Sequence, residues 1–283
     1  MAGKYRNGAL LMLVLAALGV ASIVFFHRNS SDVIISDSMS EFIDAVDKSS
    51  TKESNRLILF DLDDTVLMSS QILGTPTWFY HMVNILRQSG AAKSEAYNVM
   101  REIDRVVQDQ IQIAAVEQAT LSAIRNWSHQ GAHLFAITSR PPSFSEITNK
   151  QLEYINLEFL SPYSSCIQQK WPAGFGAFAN GIIYVDFHHN RAEVLAQFFE
   201  LAQRCGMIID LVAHADDQVR HVSEIAKFAH EARKGFVGII YGRALSSREF
   251  RLAESNKQLY ELEQKLGHKI IPDQYRKIFA EGL

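Results

Sequence analysis

Short apolar runs alternate with stretches of helical spacing along most of this chain. Leu57-Ile58-Leu59-Phe60 is a continuous apolar run, which suits a strand buried on both faces of a parallel sheet. Gly74 and Pro76 break Thr65 to Thr77 into an irregular segment. From Trp78 to about Gly131 the pattern is helical, with Val106, Val107, Ile111, Ile113, Ala114, Val116 and Ala119 at helix-like spacing. His133 to Ile137 predicts a second strand and Ser145 to Phe159 a helix. Ser161 to Asn180, with Pro162, Pro172, Gly174 and Gly176, reads as a loop. Gly181 to Val185, Met207 to Val212 and Phe236 to Tyr241 predict further strands. Helices at Arg191 to Cys205 and Val219 to Arg233 separate them, and Ser246 to Leu266 and Asp273 to Ala280 are helical. Strands alternating with helices predict an α/β fold with a parallel sheet.

The helical stretch after the first strand exceeds an ordinary crossover. It predicts an insertion, or cap, at about 76–130, over the C-terminal edge of the sheet where ligands sit in open α/β folds. The sheet is expected to be Rossmann-like, with helices on both faces. Residues 56–245 then form the main domain, and 246–283 are C-terminal helices packed on it. Residues 29–55 are polar and rich in Ser and read as a linker, interrupted by a short amphipathic stretch, Met39 to Val46. Ahead of them, Ala9 to Phe26 holds no charged residue. As a helix this run is roughly 27 Å long, near the thickness of a bilayer core. Lys4 and Arg6 precede it, so residues 1–28 predict a signal anchor with the body on the extracytoplasmic, periplasmic side. A cleaved signal peptide ending at Ala21 is the competing reading, and would give a secreted body. Cys166 and Cys205, the two cysteines, either pair or remain buried thiols.

Composition changes the picture little. The chain of 283 residues is 47% apolar and 21% charged, which excludes a disordered or fibrous protein. Its net charge of −3 gives no basic excess for nucleic acid. The N-terminal segment contributes only bases, so the body is the more acidic part.

The first strand runs into Asp61-Leu62-Asp63-Asp64-Thr65-Val66-Leu67. In an extended chain residues two apart share a face, so Asp61 and Asp63 are expected to converge. Paired carboxylates repel unless a cation sits between them or one keeps a proton. Oxygen ligands suit Mg²⁺. The second strand ends in Thr138-Ser139-Arg140, where a hydroxyl and backbone N–H groups suit a phosphate. A later strand runs through His214 into Asp216-Asp217, a second acidic pair.

This order of strand ends resembles the haloacid dehalogenase-like superfamily of aspartate-nucleophile phosphohydrolases. The resemblance spans roughly residues 55–245. Asp61 to Leu67 resembles the first motif, Thr138 the second and Asp216-Asp217 the fourth. Gly181-Ile182-Ile183-Tyr184-Val185-Asp186, followed by His188 to Leu195, is similar to a family of exported proteins of unknown function within it, and more loosely to secreted acid phosphatases. The resemblance implies Asp61 as nucleophile and Asp63 as general acid and base. Mg²⁺ is implied on Asp61, the Asp63 carbonyl oxygen and Asp216. Thr138, Ser139 and Arg191 are implied to hold phosphate, with Asp217 supporting. Arg191 stands where the superfamily carries lysine, and Lys170 is a possible substitute. The expected substrate is a small phosphorylated molecule. A binding protein on the same fold, with little catalysis, is the alternative.

Other signals are weaker. His188-His189 and His214 lack zinc-motif spacing, although His214 is placed to line the site. Trp78, Phe79 and Tyr80 either pack the cap or touch substrate. Leu252, Leu259, Leu262 and Leu266 suggest docking of the last helices onto the body. Asn29 and Asn126 open glycosylation triplets that decide nothing.

Overall fold

The computed structural model describes residues 33–159, 161–185, 189–247 and 249–281. The expected anchor at Ala9 to Phe26, the Asn29 triplet, Asp186 and His188 lie outside them. Among the described residues no helix is long and apolar enough to cross a membrane.

The elements run β1 (Val33–Ser36), α1 (Met39–Asp47), β2 (Arg56–Phe60), β3 (Leu67–Ser69), α2 (Pro76–Gln88), α3 (Lys93–Gln110), β4 (Ile113–Ala115), α4 (Gln118–His129), β5 (His133–Thr138), α5 (Ser145–Tyr154) and α6 (Ser164–Lys170). Then follow β6 (Ala177–Ala179), β7 (Ile182–Tyr184), α7 (Arg191–Arg204), β8 (Leu211–Asp216), α8 (Val219–Glu231), β9 (Gly235–Tyr241), α9 (Arg243–Ser246), α10 (Leu252–Leu266) and α11 (Asp273–Glu281). The chain is α/β, with a seven-stranded sheet in the order β1-β9-β8-β2-β5-β7-β6. Every pairing is parallel except β6 with β7.

All of β2 is buried, as its unbroken apolar run requires. Alternate residues feed two separate cores. Ile58 and Phe60 join Phe42 of α1 and Trp127 of α4 on one face. Leu57 and Leu59 join Phe198 of α7 and Ile225 of α8 on the other.

The segment expected as a linker is part of this sheet from Val33 onward. β1 forms an edge strand against β9, with Ile34 opposite Ile239. Met39, Phe42 and Val46 of α1 are fully buried. Their spacing of three and four puts them on one helical face. Phe42 meets Phe60 and Trp127 at 6.2 Å each, nearly perpendicular. A stalk would leave these rings in water.

The insertion is shorter than the helical pattern predicts. β3 and β4 pair antiparallel, carrying the chain out to α2 and α3 and back. Gly90, at φ +102°, lies in the turn between those helices. α4 belongs to the main domain, because Leu121, Ile124 and Trp127 pack against the sheet. The C-terminal helices dock mainly on the insertion. Leu259 and Leu262 of α10 and Phe279 of α11 share a core with Trp78, Met82, Met100 and Ile103. The cap is therefore built from chain segments far apart in sequence.

Two further segments also differ. β8 begins at Leu211 because its register starts opposite Arg56 at the foot of β2. The expected loop Ser161 to Asn180 contains α6 and β6. Asn180 and Gly181, at φ +53° and +75°, turn β6 back onto β7. Asn-Gly is the pair such a two-residue hairpin favours. A Cβ at Gly181 would lie 1.7 Å from the Phe159 carbonyl oxygen, so no other residue fits. Cys166 and Cys205 form a disulfide, with Cα atoms 6.0 Å apart. It ties α6 to the C-terminal end of α7, whose first residue is Arg191.

Candidate functional site

Register levels the C-terminal ends of the central strands. Phe60 stands opposite Ala136 on one side and Ala215 on the other. The next residues on β2 and β8 are Asp61 and Asp216, and the Asp61 N–H donates to Ala215 O at 2.9 Å. Past Asp61 the chain turns tightly over buried Leu62. Val66 N and Leu67 N both donate to Leu62 O at 3.0 Å, and Asp64 N to Leu67 O at 2.8 Å. Asp64 takes the left-handed conformation, φ +60°, which aspartate tolerates better than most residues.

Carboxylate oxygens of Asp61, Asp216 and Asp217 lie within 4.8 Å of one another. Arg191 neutralises part of this charge. Its Nη2 donates to Asp61 Oδ1 and its Nη1 to Asp216 Oδ2, each at 2.6 Å. Nη1 also reaches Ile137 O at 3.2 Å, and Nη2 lies 3.4 Å from Ser139 Oγ. Arg191 opens α7, where a helix dipole disfavours a cation; the two acids offset that cost. A reciprocal cap fixes the helix start, with Glu193 N donating to Asn190 Oδ1 at 2.9 Å and Asn190 N to Glu193 Oε2 at 3.0 Å.

The acids respond differently. Burial, then repulsion from Asp216, pushes the Asp61 carboxyl well above its usual range despite Arg191. Burial, then Asp61 and Asp216, pushes Asp217 up to about 9. Burial also works to raise Asp216, but Arg191 and the His214 and His221 rings outweigh it and hold it well below. His221 Nδ1 lies 3.2 Å from Asp216 Oδ1 and His214 Nε2 3.3 Å from Oδ2.

Asp63 does not join this group. Its carboxylate is gripped by Arg140, whose Nε and Nη2 donate to Oδ2 and Oδ1 at 2.8 and 2.7 Å. Arg140 Nη1 donates to Thr148 Oγ1 at 3.1 Å and Gln151 Oε1 at 2.7 Å. Gln151 Nε2 donates in turn to Gln108 O at 2.8 Å, and Gln108 Nε2 to Gly74 O at 2.7 Å and Asp104 Oδ1 at 3.2 Å. This polar chain joins the sheet edge to the inserted helices. Burial pushes Asp104 up to about 7, against the hydrogen bond from Gln108. Arg140 was visible in the sequence as the cation closing Thr138-Ser139-Arg140. Gln108 and Gln151 carried no local signal, since an isolated glutamine on a helix looks like ordinary surface.

A cleft of about 1080 Å³ opens over these groups. Asp61, Asp63, Thr138, Ser139, Arg191 and Asp217 all line it; Asp216 lies fully buried beneath. Thr138 Oγ1 accepts from Arg140 N at 3.1 Å. Lys170 is exposed on α6 and is not among the lining residues. His214 does not line the cleft as expected. It is wholly buried, its Nδ1 3.2 Å from Leu59 O. Among the described residues, no metal-type cluster includes a histidine. Trp78 is buried in the cap core, whereas Phe79 and Tyr80 line the cleft.

A family model described as "Protein of unknown function (DUF2608)" matches residues 36–271. The chain belongs to the DUF2608 family. The matched range takes in the site, the insertion and α10. Three chlamydial proteins similar to this DUF2608 chain each carry the name "Putative outer membrane protein". The Chlamydia pneumoniae protein is 25% identical over 191 residues, covering 67% of this chain and 70% of its own length. The Chlamydia trachomatis serovar D protein is 22% identical over 229 residues, covering 80% and 78%. The Chlamydia muridarum protein is 24% identical over 216 residues, covering 75% and 79%.

Proposed function

We propose that this DUF2608 protein is a Mg²⁺-dependent phosphohydrolase of the haloacid dehalogenase-like type, acting on a small phosphorylated molecule with Asp61 as nucleophile. The observation that carries the reading is the convergence of Asp61, Asp216 and Asp217 within 4.8 Å at the sheet edge. Thr138, Ser139 and Arg191 line the same cleft or abut it. An all-carboxylate donor set suits a hard cation. One guanidinium among three clustered acids, two of them buried, leaves negative charge uncompensated; burial first, and then repulsion within the cluster, raises the Asp61 and Asp217 carboxyls. Asp61, Asp216 and the Asp63 carbonyl would hold Mg²⁺, with Asp217 completing the shell. When bound, the ion would offset the carboxylate charge and stabilise the transferred phosphoryl group.

Asp61 would attack phosphorus, break the bond to the ester oxygen and form an aspartyl-phosphate. Arg191 would keep Oδ1 oriented and leave Oδ2 to attack. Asp63 would give a proton to the departing oxygen, then take one from the water that attacks the aspartyl-phosphate. That second attack releases phosphate and restores both carboxyl groups. The Thr138 hydroxyl, the Ser139 amide and Arg191 would hold the phosphate oxygens. An exported or membrane-anchored body agrees with the basic, apolar N-terminal sequence, the Cys166–Cys205 disulfide and the names of the relatives.

One observation favours a second reading, a binding protein with little catalysis. Both Asp63 oxygens are engaged by Arg140, so Asp63 must loosen that grip to carry a proton. Assaying the full-length protein with Mg²⁺ and an aryl phosphate, beside Asp61→Asn, separates the two. Turnover abolished by Asp61→Asn supports the enzyme. Equal inactivity across several pH values and metals leaves the binding protein.

A further inference from the structure

Three aromatic rings from the inserted helices wall the cleft. Phe79 and Tyr80 come from the start of α2 and Tyr97 from α3. Ring centroids are 5.4 Å apart for Phe79 and Tyr80, 6.0 Å for Phe79 and Tyr97, and 6.4 Å for Tyr80 and Tyr97. The interplanar angles are 86°, 64° and 68°, so every pair meets edge to face. No ring of the three lies flat on another. The cap core is filled by the adjacent Trp78, fully buried, and does not use Tyr80, which is 43% exposed.

Two cations accompany the rings. The Arg101 guanidinium lies 5.8 Å from the Tyr97 centroid and the Lys93 ammonium 6.0 Å. Both line the same cleft as Asp61. Burial pushes Arg101 down to about 10, with Tyr97 and Tyr80 opposing, so it stays charged at neutral pH. Burial raises the Tyr80 phenol, and Tyr97, Asp61 and Asp217 add to the rise while Arg220 opposes it. Rings, cations and carboxylates therefore share one space, large enough for a phosphoryl group and a ring together.

We propose that this wall selects phosphomonoesters whose alcohol carries a planar ring with a second anionic group. The phosphoryl group sits at Asp61, the ring against Tyr80 and the second anion toward Arg101. For turnover the inference rests on the phosphohydrolase reading; for binding it does not.

Non-hydrolysable phosphonates test it by calorimetry on the full-length protein. Para-carboxybenzylphosphonate should bind about tenfold tighter than benzylphosphonate, and that about tenfold tighter than ethylphosphonate. Tyr80→Leu should erase most of the benzyl-over-ethyl ratio, and Tyr80→Phe should keep it. Arg101→Gln should erase the carboxylate increment alone. Equal wild-type affinities, or ratios unmoved by these variants, overturn the proposal. Turnover of aryl and alkyl phosphates alike, with flat phosphonate affinities, sinks this inference and spares the phosphohydrolase. Ring-selective binding with no turnover does the reverse.

Discussion

Arg140 holds Asp63 by both edges of its fork, Nε 2.8 Å from Oδ2 and Nη2 2.7 Å from Oδ1. The arginine side chain is 6% exposed and the aspartate 30%, so the pair straddles the border between core and cleft. Replacing Arg140 with alanine strands Asp63 and removes the donor that Thr148 and Gln151 share. The expected cost is about 2 to 3 kcal/mol, below that of a fully buried pair because water reaches Asp63. Arg140→Lys recovers only part, since a point charge cannot make two parallel bonds. Urea unfolding of the three proteins measures this, and equal midpoints for all would contradict it.

Arg191 is the cation nearest Asp61 and Asp216. Arg191→Met leaves two buried acids without it and should cost roughly 3 to 5 kcal/mol. A divalent cation in the acidic group would replace the missing charge. Mg²⁺ is therefore expected to raise the Tm of Arg191→Met more than that of the wild type, with EDTA reversing both gains. Thermal melts with and without Mg²⁺ decide it. An identical increment in both proteins counts against a cation at this group.

Glu263 anchors the last two helices to each other. Its Oε1 accepts from Ile270 N at 2.7 Å, Ile271 N at 3.2 Å and Arg276 Nη2 at 2.6 Å. Burial works to raise its pKa, but Arg276 and the two amides hold it below the ordinary glutamate value. A depressed folded pKa stabilises above the unfolded value of about 4.3 and loses that stabilisation as pH falls through the folded one. Glu263→Gln should thus be less stable by about 2 kcal/mol at pH ~7, as expected for hydrogen bonds to a charged group. The gap should close below pH ~4. Denaturation curves at a series of pH values read it, and a gap independent of pH would refute the assignment.

The Cys166–Cys205 disulfide joins residues 39 apart in sequence and closes a loop holding β6, β7 and all of α7. Chain-entropy reasoning gives about 4 kcal/mol for a loop of that size. Replacing both cysteines with serine should lower stability by up to that amount, and a reductant should lower the Tm of wild type but not of the double variant.

Much of the fold was legible because buried parallel strands announce themselves. Leu57 to Phe60, His133 to Ile137 and Phe236 to Tyr241 are apolar runs too short for helices, and each is a strand. Polar or mixed segments are less legible. β1 and α1 resemble a linker in sequence because an edge strand and a one-sided helix bury only part of their residues. The sequence pattern extends the insertion too far because α4, a crossover helix, has the same periodicity as the cap helices α2 and α3. Only its contacts with Phe60 and Phe42 tell it apart.

At the site, sequence alone placed Asp61, Thr138 and Asp216-Asp217 at strand ends, and the sheet order makes those strands neighbours. Strand ends in a parallel sheet gather on one edge, whatever the side chains do there. Tertiary structure decided which charge meets which. Asp61 and Asp63 are two residues apart and were expected to converge. They part instead, to Arg191, 130 positions away, and to Arg140, 77 positions away. Such pairings depend on where a helix start and a loop pack after folding, and no local spacing encodes that.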